Sequence, residues 1–406
     1  MYIKRHIEPT IEKMRSMFGA VCITGARQTG KSTVIGNNYP GISTITFDDR
    51  RMLESAANEP VTFIDSLTPP VFLDEIQYAP NLFPYIKIYI DRHKKKGEFL
   101  MSGSQKFHLM KNVSESLAGR VGVLELYGLS LREINGETFR ESFIPTREYI
   151  FARNKSHISI TQKDLWHRIW RGSYPELAAN PDFDWDIFYR AYVSTYIERD
   201  VRALAQVGDE LKFYQFMQGC AAITGQLLNL AGLARNIGIS TSTAERWISI
   251  LKVSNIIHLL KPYHNNILKR AVKTPKLYFL DTGLACYLTR WENEEVLKVG
   301  AMAGAMFETF VIGEILKSYA NNGNEADLYF YKDKEQKEID LIIHKNGTLY
   351  PIEIKKHADV GKKDMKAFDV IGKIPDVMRG EGCVMCTTNE AYPLTESDMA
   401  IGIGWL

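Results

Sequence analysis

The sequence predicts an α/β protein in three parts, and three observations carry that prediction. A glycine-rich loop ending in lysine and a hydroxyl, Gly25 to Thr33, follows the short apolar run of Ala20 to Ile23. Short apolar strands then alternate with segments of helical spacing as far as Ser102. Helical spacing dominates from Leu165 to Lys261, and beyond Gly304 two strand-like stretches carry charged residues at alternate positions. Strand and helix in alternation give a parallel sheet covered by helices on both faces.

Length and composition bound the reading. At 406 residues the chain exceeds one ordinary core and suits two or three domains. With 45% hydrophobic and 24% charged residues it has the composition of a folded soluble protein, and the cytoplasm is its expected place. A formal net charge of +2 gives no global attraction to nucleic acid or acidic membrane, so any basic surface is local. No stretch has the roughly 18 apolar residues of a membrane span, and the start of the chain lacks the apolar core of a signal peptide, so no membrane partner is expected. Five cysteines argue against a disulfide framework. Cys383 and Cys386 lie three apart in an apolar strand, hence on opposite faces, and cannot share a metal.

Gly25, Ala26, Arg27, Gln28, Thr29, Gly30, Lys31, Ser32 and Thr33 contain G-x-x-x-x-G-K-S/T without a mismatch. This is a P-loop. Glycines let the backbone turn with its N–H groups facing phosphate oxygens, and the helix beginning near Lys31 presents its positive end to them. Lys31 is expected to reach the β- and γ-phosphates of ATP, and the Ser32 hydroxyl to hold Mg²⁺.

A short amphipathic helix from Ile7 to Phe18 precedes the loop strand. Ser43 to Asp49, Val71 to Asp74 and Phe99 to Ser102 read as further strands, while Leu82, Ile86, Tyr89 and Ile90 share a helix face. Val71-Phe72-Leu73-Asp74-Glu75 is an apolar strand ending in two acids, the Walker B pattern. Asp74 suits the Mg²⁺ shell, and Glu75, one residue on, suits the general base that orients or deprotonates water. Ser104 or Gln105, just past the next strand, is placed to sense the γ-phosphate. Arg120 can supply the late positive charge of phosphoryl transfer, within its own subunit or across an interface of a homo-oligomer.

The segments Thr24 to Thr33, Val71 to Gln77, Met101 to Gln105 and Ser116 to Arg120 resemble a group of bacterial and archaeal AAA-type ATPases whose C-terminal domain was long catalogued without a function. Gly172 to Glu176, Tyr196 to Val201 and Asp281 to Leu284 are similar to that group too, although Arg171 stands where its second glycine is usual. The resemblance spans nearly the whole chain. It implies an ATPase module with an appended domain related to PD-(D/E)XK nucleases.

Arg147 to Lys163 reads as a boundary region. In the helical middle, Leu230 to Ser240 reads as helix, glycine turn and cap, and Ser242 with Glu245 as a capping box opening the helix of Trp247 to Leu251. The strand-like His258 to Leu260 follows, which suggests a winged helix-turn-helix with Arg235, Arg246 and Lys252 available to DNA phosphates; such units also serve as protein contacts.

Past Gly304, Glu308 falls on the face of Ile312, Ile315 and Tyr319 in an apolar helix and points inward. Glu338 and Asp340 share one face of a strand, Glu353 and Lys355 one face of the next. Side by side, those faces converge Asp340, Glu353 and Lys355, with Mg²⁺ held by Asp340 and Glu353 and water activated by Lys355. The order of acids resembles the PD-(D/E)XK fold, with catalytic candidates Glu308, Asp340, Glu353 and Lys355. The expected fold is therefore α/β: a parallel-sheet P-loop NTPase core in 1–150, a helical middle with a winged helix in 151–290, and an α/β nuclease-like domain in 291–406. The expected function is ATP hydrolysis joined to a DNA-directed domain; the alternative is a nucleotide-dependent switch that docks a protein partner and carries an inactive nuclease-like domain.

Overall fold

The structure, a computed structural model, describes residues 1–104, 116–196, 210–264 and 273–406. Five parallel strands form the first sheet: β1 (Ala20–Thr24), β2 (Ser43–Thr46), β3 (Val71–Asp74), β4 (Phe99–Gly103) and β5 (Val121–Glu125), in the order β2-β3-β4-β1-β5. The P-loop strand β1 and the acidic strand β3 are thus separated by β4. Both faces are covered, and the alternation along β1 shows it: Ala20 and Cys22 pack with Leu73, Phe99 and Met101, whereas Val21 and Ile23 pack with Phe72, Leu100 and Leu124.

The sequence reading did not include β5, because Gly122 interrupts its apolar run. A side chain there would crowd Met14 and Phe18, each 2.9 Å from the added carbon, so the glycine lets the first helix (Glu8–Met17) lie against the strand. The second strand is shorter than expected. It stops at Thr46, and Asp49 instead caps the next helix by accepting from the Arg51 N–H.

A second sheet runs through the middle and the C-terminal part of the chain. Its strands are β6 (Gln226–Leu227), β7 (Ile257–Pro262), β8 (Lys276–Phe279), β9 (Leu328–Lys332), β10 (Glu338–Lys345), β11 (Thr348–Ile354), β12 (Met378–Arg379), β13 (Gly382–Cys386), β14 (Ala391–Pro393) and β15 (Asp398–Gly402). The order is β14-β15-β13-β11-β10-β9-β7-β8-β6, with β12 beside β11. Parallel pairing of Lys261 with Tyr329 joins β7 to β9, so the antiparallel β7–β8 pair of the middle continues directly into the C-terminal sheet.

In the middle, a helix (Leu230–Ile237) ends at Gly238, whose φ of 74° suits glycine, and a second helix (Thr241–Val253) follows. Its cap is Ser240, which accepts from the Thr243 N–H at 3.0 Å. The expected capping box of Ser242 and Glu245 is corrected: the helix opens at Thr241, so Ser242 already lies inside its first turn.

Arg147 to Lys163 is no free linker. A helix (Arg147–Arg153) capped by Thr146 sits against the end of the chain, with Arg153 donating to the Gly404 carbonyl at 2.9 Å and the Tyr149 hydroxyl to that of Trp405 at 3.2 Å. Among the described residues no helix is long and apolar enough to cross a membrane.

Candidate functional site

The P-loop leaves β1 at the carboxyl end of the first sheet and runs into the helix Lys31–Asn38. Gly25 passes so close to the Leu126 carbonyl that any side chain would strike it, and Gly30 holds φ 89° at the cap position of the helix. Lys31 lies across the loop, its ammonium 3.1 Å from the Gly25 carbonyl and 2.9 Å from that of Ala26. Gln28, Ser32 and Thr33 face solvent.

Beside the loop, the Ser32 hydroxyl stands 2.9 and 3.0 Å from the two carboxylate oxygens of Asp74. Ser102, from the intervening β4, also donates to Asp74. A hydroxyl and a carboxylate together at a helix N-terminus form the hard oxygen set that suits Mg²⁺. Glu75 follows in the left-handed conformation, φ 54° and ψ 43°, which swings its side chain off the strand direction. Its carboxylate accepts from Gln77 and from the Ser104 hydroxyl, the latter at 3.1 Å. Burial pushes the Glu75 pKa up, but the Lys31 charge, the Gln77 and Ser104 hydrogen bonds and the Arg27 charge outweigh it and hold the group below its ordinary value. Glu75 is therefore ionised at neutral pH, the form a base requires. Gln105 lies outside the described residues; Ser104 is the one of the pair that the structure places at Glu75.

Sequence reasoning missed the groups that brace this loop. Arg5 is buried, donates to the Thr29 carbonyl at 2.8 Å and pairs with Glu133 at 3.0 Å. Glu133 also accepts from the His6 N–H at 2.7 Å and, as a capping box with Ser130, from the Ser130 N–H at 2.7 Å. On the open side of the loop a cavity of about 140 Å³ lies between Ile3, Gly30, Thr33, Leu129, Pro175 and Ala179. The segment from Gly172 to Glu176 thus meets the nucleotide loop, and Asp281 anchors it: its carboxylate takes the Ser173 N–H at 2.7 Å, the Ser173 hydroxyl at 2.8 Å and the Tyr189 hydroxyl at 2.6 Å. The rest of the similar segment Tyr196 to Val201, from 197 on, lies outside the described residues.

Arg120 is at the other end of the sheet. It precedes β5, its carbonyl accepts from the Ala20 N–H at the start of β1, and its guanidinium pairs with Asp91 at 2.5 Å. The full length of β1 separates it from the P-loop, so within one chain it does not reach the loop, and only the version across an interface is left.

The C-terminal charges gather around Asp340. A bulge in β10 shifts the pairing with β9 between Ile339 and Ile342. As a result Ile339 joins the smaller core while Leu341 and Ile343 join the larger core under the long helix (Ala303–Ala320). Asp340 sits at that irregularity, where its carboxylate accepts from the Ile354 N–H at 2.9 Å. Glu308 approaches from the helix side; Glu353 alternates with Ile352 and Ile354, which face the larger core, and so emerges on the opposite face. Asp340 stands between them, and its charge acts on Glu308, Glu353 and Lys355 alike.

Lys276 on β8, which the sequence reading did not include, reaches into this group. Its ammonium is 2.7 Å from Glu338, 3.3 Å from Glu308 and 4.0 Å from Asp340, with the side chain only 5% exposed. The Tyr278 hydroxyl donates to Glu308 at 2.5 Å, Lys332 pairs with Glu338 at 2.8 Å, and Lys355 with Glu353 at 2.5 Å. Burial first and the Asp340 charge second raise the Glu308 pKa to about 7 and that of Glu353 to about 8. Among the described residues no group of three or more His, Cys, Asp or Glu is arranged to hold a metal ion. The expected Mg²⁺ ligands Asp340 and Glu353 are near neighbours electrostatically, but lysines supply the positive charge around them.

Arg235, Arg246 and Lys252 are all exposed on the paired helices of the middle. Cys383 and Cys386 pack into different cores on the two faces of β13.

Residues 18–135 match the model of an AAA domain, residues 162–295 that of a domain of unknown function (DUF8612), and residues 303–406 that of a second domain of unknown function (DUF4143). Over 343 residues the chain is 30% identical to the uncharacterized proteins Mb2031c of Mycobacterium bovis and Rv2008c of Mycobacterium tuberculosis, covering 83% of this chain and 70% of each relative. Among solved structures, a Walker-type ATPase of Pyrococcus abyssi aligns over 71% of this chain and 96% of its own, at 13% identity and a TM-score of 0.43. The RuvB branch migration motor of Thermotoga maritima aligns over 62% and 88%, at 14% identity and a TM-score of 0.29. At such scores neither likeness bears on function.

Proposed function

This chain belongs to the family of the mycobacterial proteins Mb2031c and Rv2008c and has an AAA-type P-loop ATPase fold, and from that premise we propose that it binds and hydrolyses ATP with Mg²⁺. One observation carries the reading: Lys31, the Ser32–Asp74 pair and an ionised Glu75 stand together at the carboxyl end of the sheet. Ser32 and Asp74 would hold Mg²⁺, which, when bound, neutralises phosphate charge. Lys31 leaves its two carbonyl partners for phosphate oxygens, with the loop from Gly25 to Thr33 wrapped around them. Glu75, held by Gln77 and Ser104, orients water and takes its proton. The cavity beside Ile3 and Pro175 receives the nucleoside.

The C-terminal part we assign to a DNA-directed, nuclease-like domain, with Arg235, Arg246 and Lys252 of a winged helix as phosphate contacts. Residues 1–150, 151–290 and 291–406 are proposed as functional units rather than independent folds, since β7 continues into the C-terminal sheet. A second reading, a nucleotide switch with an inactive nuclease-like domain, is favoured by one observation: lysines already balance the C-terminal acids. Purified protein assayed for Mg²⁺-dependent ATP turnover with and without DNA tests the proposal. Turnover that DNA stimulates supports the leading reading; absence of turnover in either condition sinks it.

A further inference from the structure

Phosphoryl transfer spreads negative charge over the γ-phosphate and the oxygen it leaves, and each cation set against that charge lowers the barrier. Lys31 supplies one. Arg120 does not reach the loop of its own chain, but the loop carries a second cation of its own. Arg27 is the third residue of the loop that Gly25 opens. Gln28 after it takes a left-handed turn, φ 59°, and is exposed, whereas Arg27 stays half-buried. The Arg27 Nη2 donates to the Tyr78 hydroxyl at 3.4 Å. Tyr78 ends the short helical turn (Ile76–Tyr78) that follows Glu75, and its N–H donates to the Glu75 carbonyl at 3.1 Å. Arg27 therefore crosses from the phosphate loop to the turn that holds the base. The charges of the loop act on Glu75 in the same sense, Lys31 first and Arg27 with it. The bond to Tyr78 is long and its acceptor neutral, so a phosphate, charged and able to accept two guanidinium N–H bonds at once, is the stronger acceptor.

We propose that Arg27 is the arginine of the hydrolytic step, acting within its own subunit by moving from Tyr78 to the γ-phosphate as the bond to that phosphate breaks. The inference rests on the ATP-hydrolysis reading and adds to it the cation that Arg120 does not supply within one chain. In the step, a water oxygen bonds to the γ-phosphorus and Glu75 takes the water proton. The bond from that phosphorus to its bridging oxygen breaks, its electron pair stays on ADP, and inorganic phosphate leaves. Arg27 meets the oxygens on which that charge grows, while Lys31 binds the nucleotide before and during the step. The position uses a fork of fixed N–H groups, so lysine does not replace it.

The experiment compares full-length wild type, Arg27→Ala and Arg27→Lys in single-turnover ATP hydrolysis with Mg²⁺, in affinity for a non-hydrolysable ATP analogue, and in affinity for ADP with aluminium fluoride, which mimics the phosphoryl group in transfer. Both variants are expected to bind the analogue within about tenfold of wild type, to hydrolyse ATP at least about a hundredfold more slowly, and to lose the tighter binding of ADP that aluminium fluoride gives wild type. A mixture of Arg27→Ala and Glu75→Gln should regain no turnover, since each chain needs both groups. Turnover restored by mixing places Arg27 at a neighbour's nucleotide and overturns the assignment. A loss of turnover no larger than the loss of analogue affinity also overturns it and leaves ATP hydrolysis standing. Wild type that binds ATP without hydrolysing it overturns the hydrolysis reading and the proposal with it. Should Arg27→Ala melt below wild type, Arg27→Gln, which keeps a side chain able to hydrogen-bond, is judged by the same ratio of turnover to affinity.

Discussion

Arg5 and Glu133, 128 residues apart, form a buried ion pair at 3.0 Å directly behind the nucleotide loop, and Arg5 simultaneously holds the loop by the Thr29 carbonyl. The pair positions the P-loop from below. It also links the loop to the C-terminal domain, because the next residues of the Glu133 segment are gripped by the long helix. Glu314 accepts from the Leu131 N–H at 2.8 Å, and Lys317 donates to the Leu129 carbonyl at 3.0 Å.

Removing one member of such a pair strands the other charge in the interior. Arg5→Met is expected to cost roughly 3–5 kcal/mol of stability and to weaken nucleotide binding, since the Thr29 carbonyl loses its brace. Chemical denaturation and equilibrium nucleotide binding check both; unchanged stability would mean that Glu133 finds other partners.

Lys31→Ala removes an ammonium expected to make charge-assisted bonds to phosphate. At roughly 1.5–3 kcal/mol for a hydrogen bond to a charged group, ATP affinity should fall about ten- to hundredfold. Isothermal titration with a non-hydrolysable ATP analogue measures it, and affinity within twofold of wild type would remove Lys31 from the site.

Arg120 should act only across an interface if it acts at all. Its pair with Asp91 is exposed, so Arg120→Ala should leave the melting temperature unchanged. If the arginine serves a neighbour's nucleotide, turnover per chain rises with protein concentration in wild type and not in Arg120→Ala. Concentration-independent turnover in both proteins ends the assignment.

Stability should fall as pH rises through neutrality. Glu308 and Glu353 have folded pKa values raised to about 7 and about 8, so the native state binds more protons than the unfolded one between their unfolded values and those. The stabilisation is present below the unfolded carboxyl pKa and is lost as pH rises through the folded one. Glu308→Gln, which mimics the protonated form, should flatten the decline of melting temperature between about pH 5 and pH 7, from the ordinary carboxyl pKa up to the raised folded value. A slope equal to that of wild type would contradict the raised value.

What the sequence revealed and what it hid follow from how local each interaction is. The P-loop and Asp74-Glu75 were legible because a contiguous stretch sets both the backbone turn and the chemistry. Arg5, Glu133 and Lys276 were not, since their partners lie far away in sequence and no spacing announces them. The fifth strand was hidden by Gly122, which is there for the first helix rather than for the strand. Beyond Asp340 strict alternation breaks for a physical reason: one extra residue in β10 puts Leu341 in a different core from Ile339, and a bulge leaves little trace in a run of isoleucine and leucine.

The central claim is that Glu75 is the base of an ATP-hydrolysing site whose binding groups are separate from it. Its most direct test is a parallel measurement of ATP affinity and single-turnover hydrolysis, with Mg²⁺, for wild type and Glu75→Gln. The substitution keeps the size of the side chain and can still bond to Ser104, so affinity should stay near that of wild type. Turnover should drop by about 10²–10⁴, the range that a positioned general base supplies. Hydrolysis by Glu75→Gln at the wild-type rate would contradict the account.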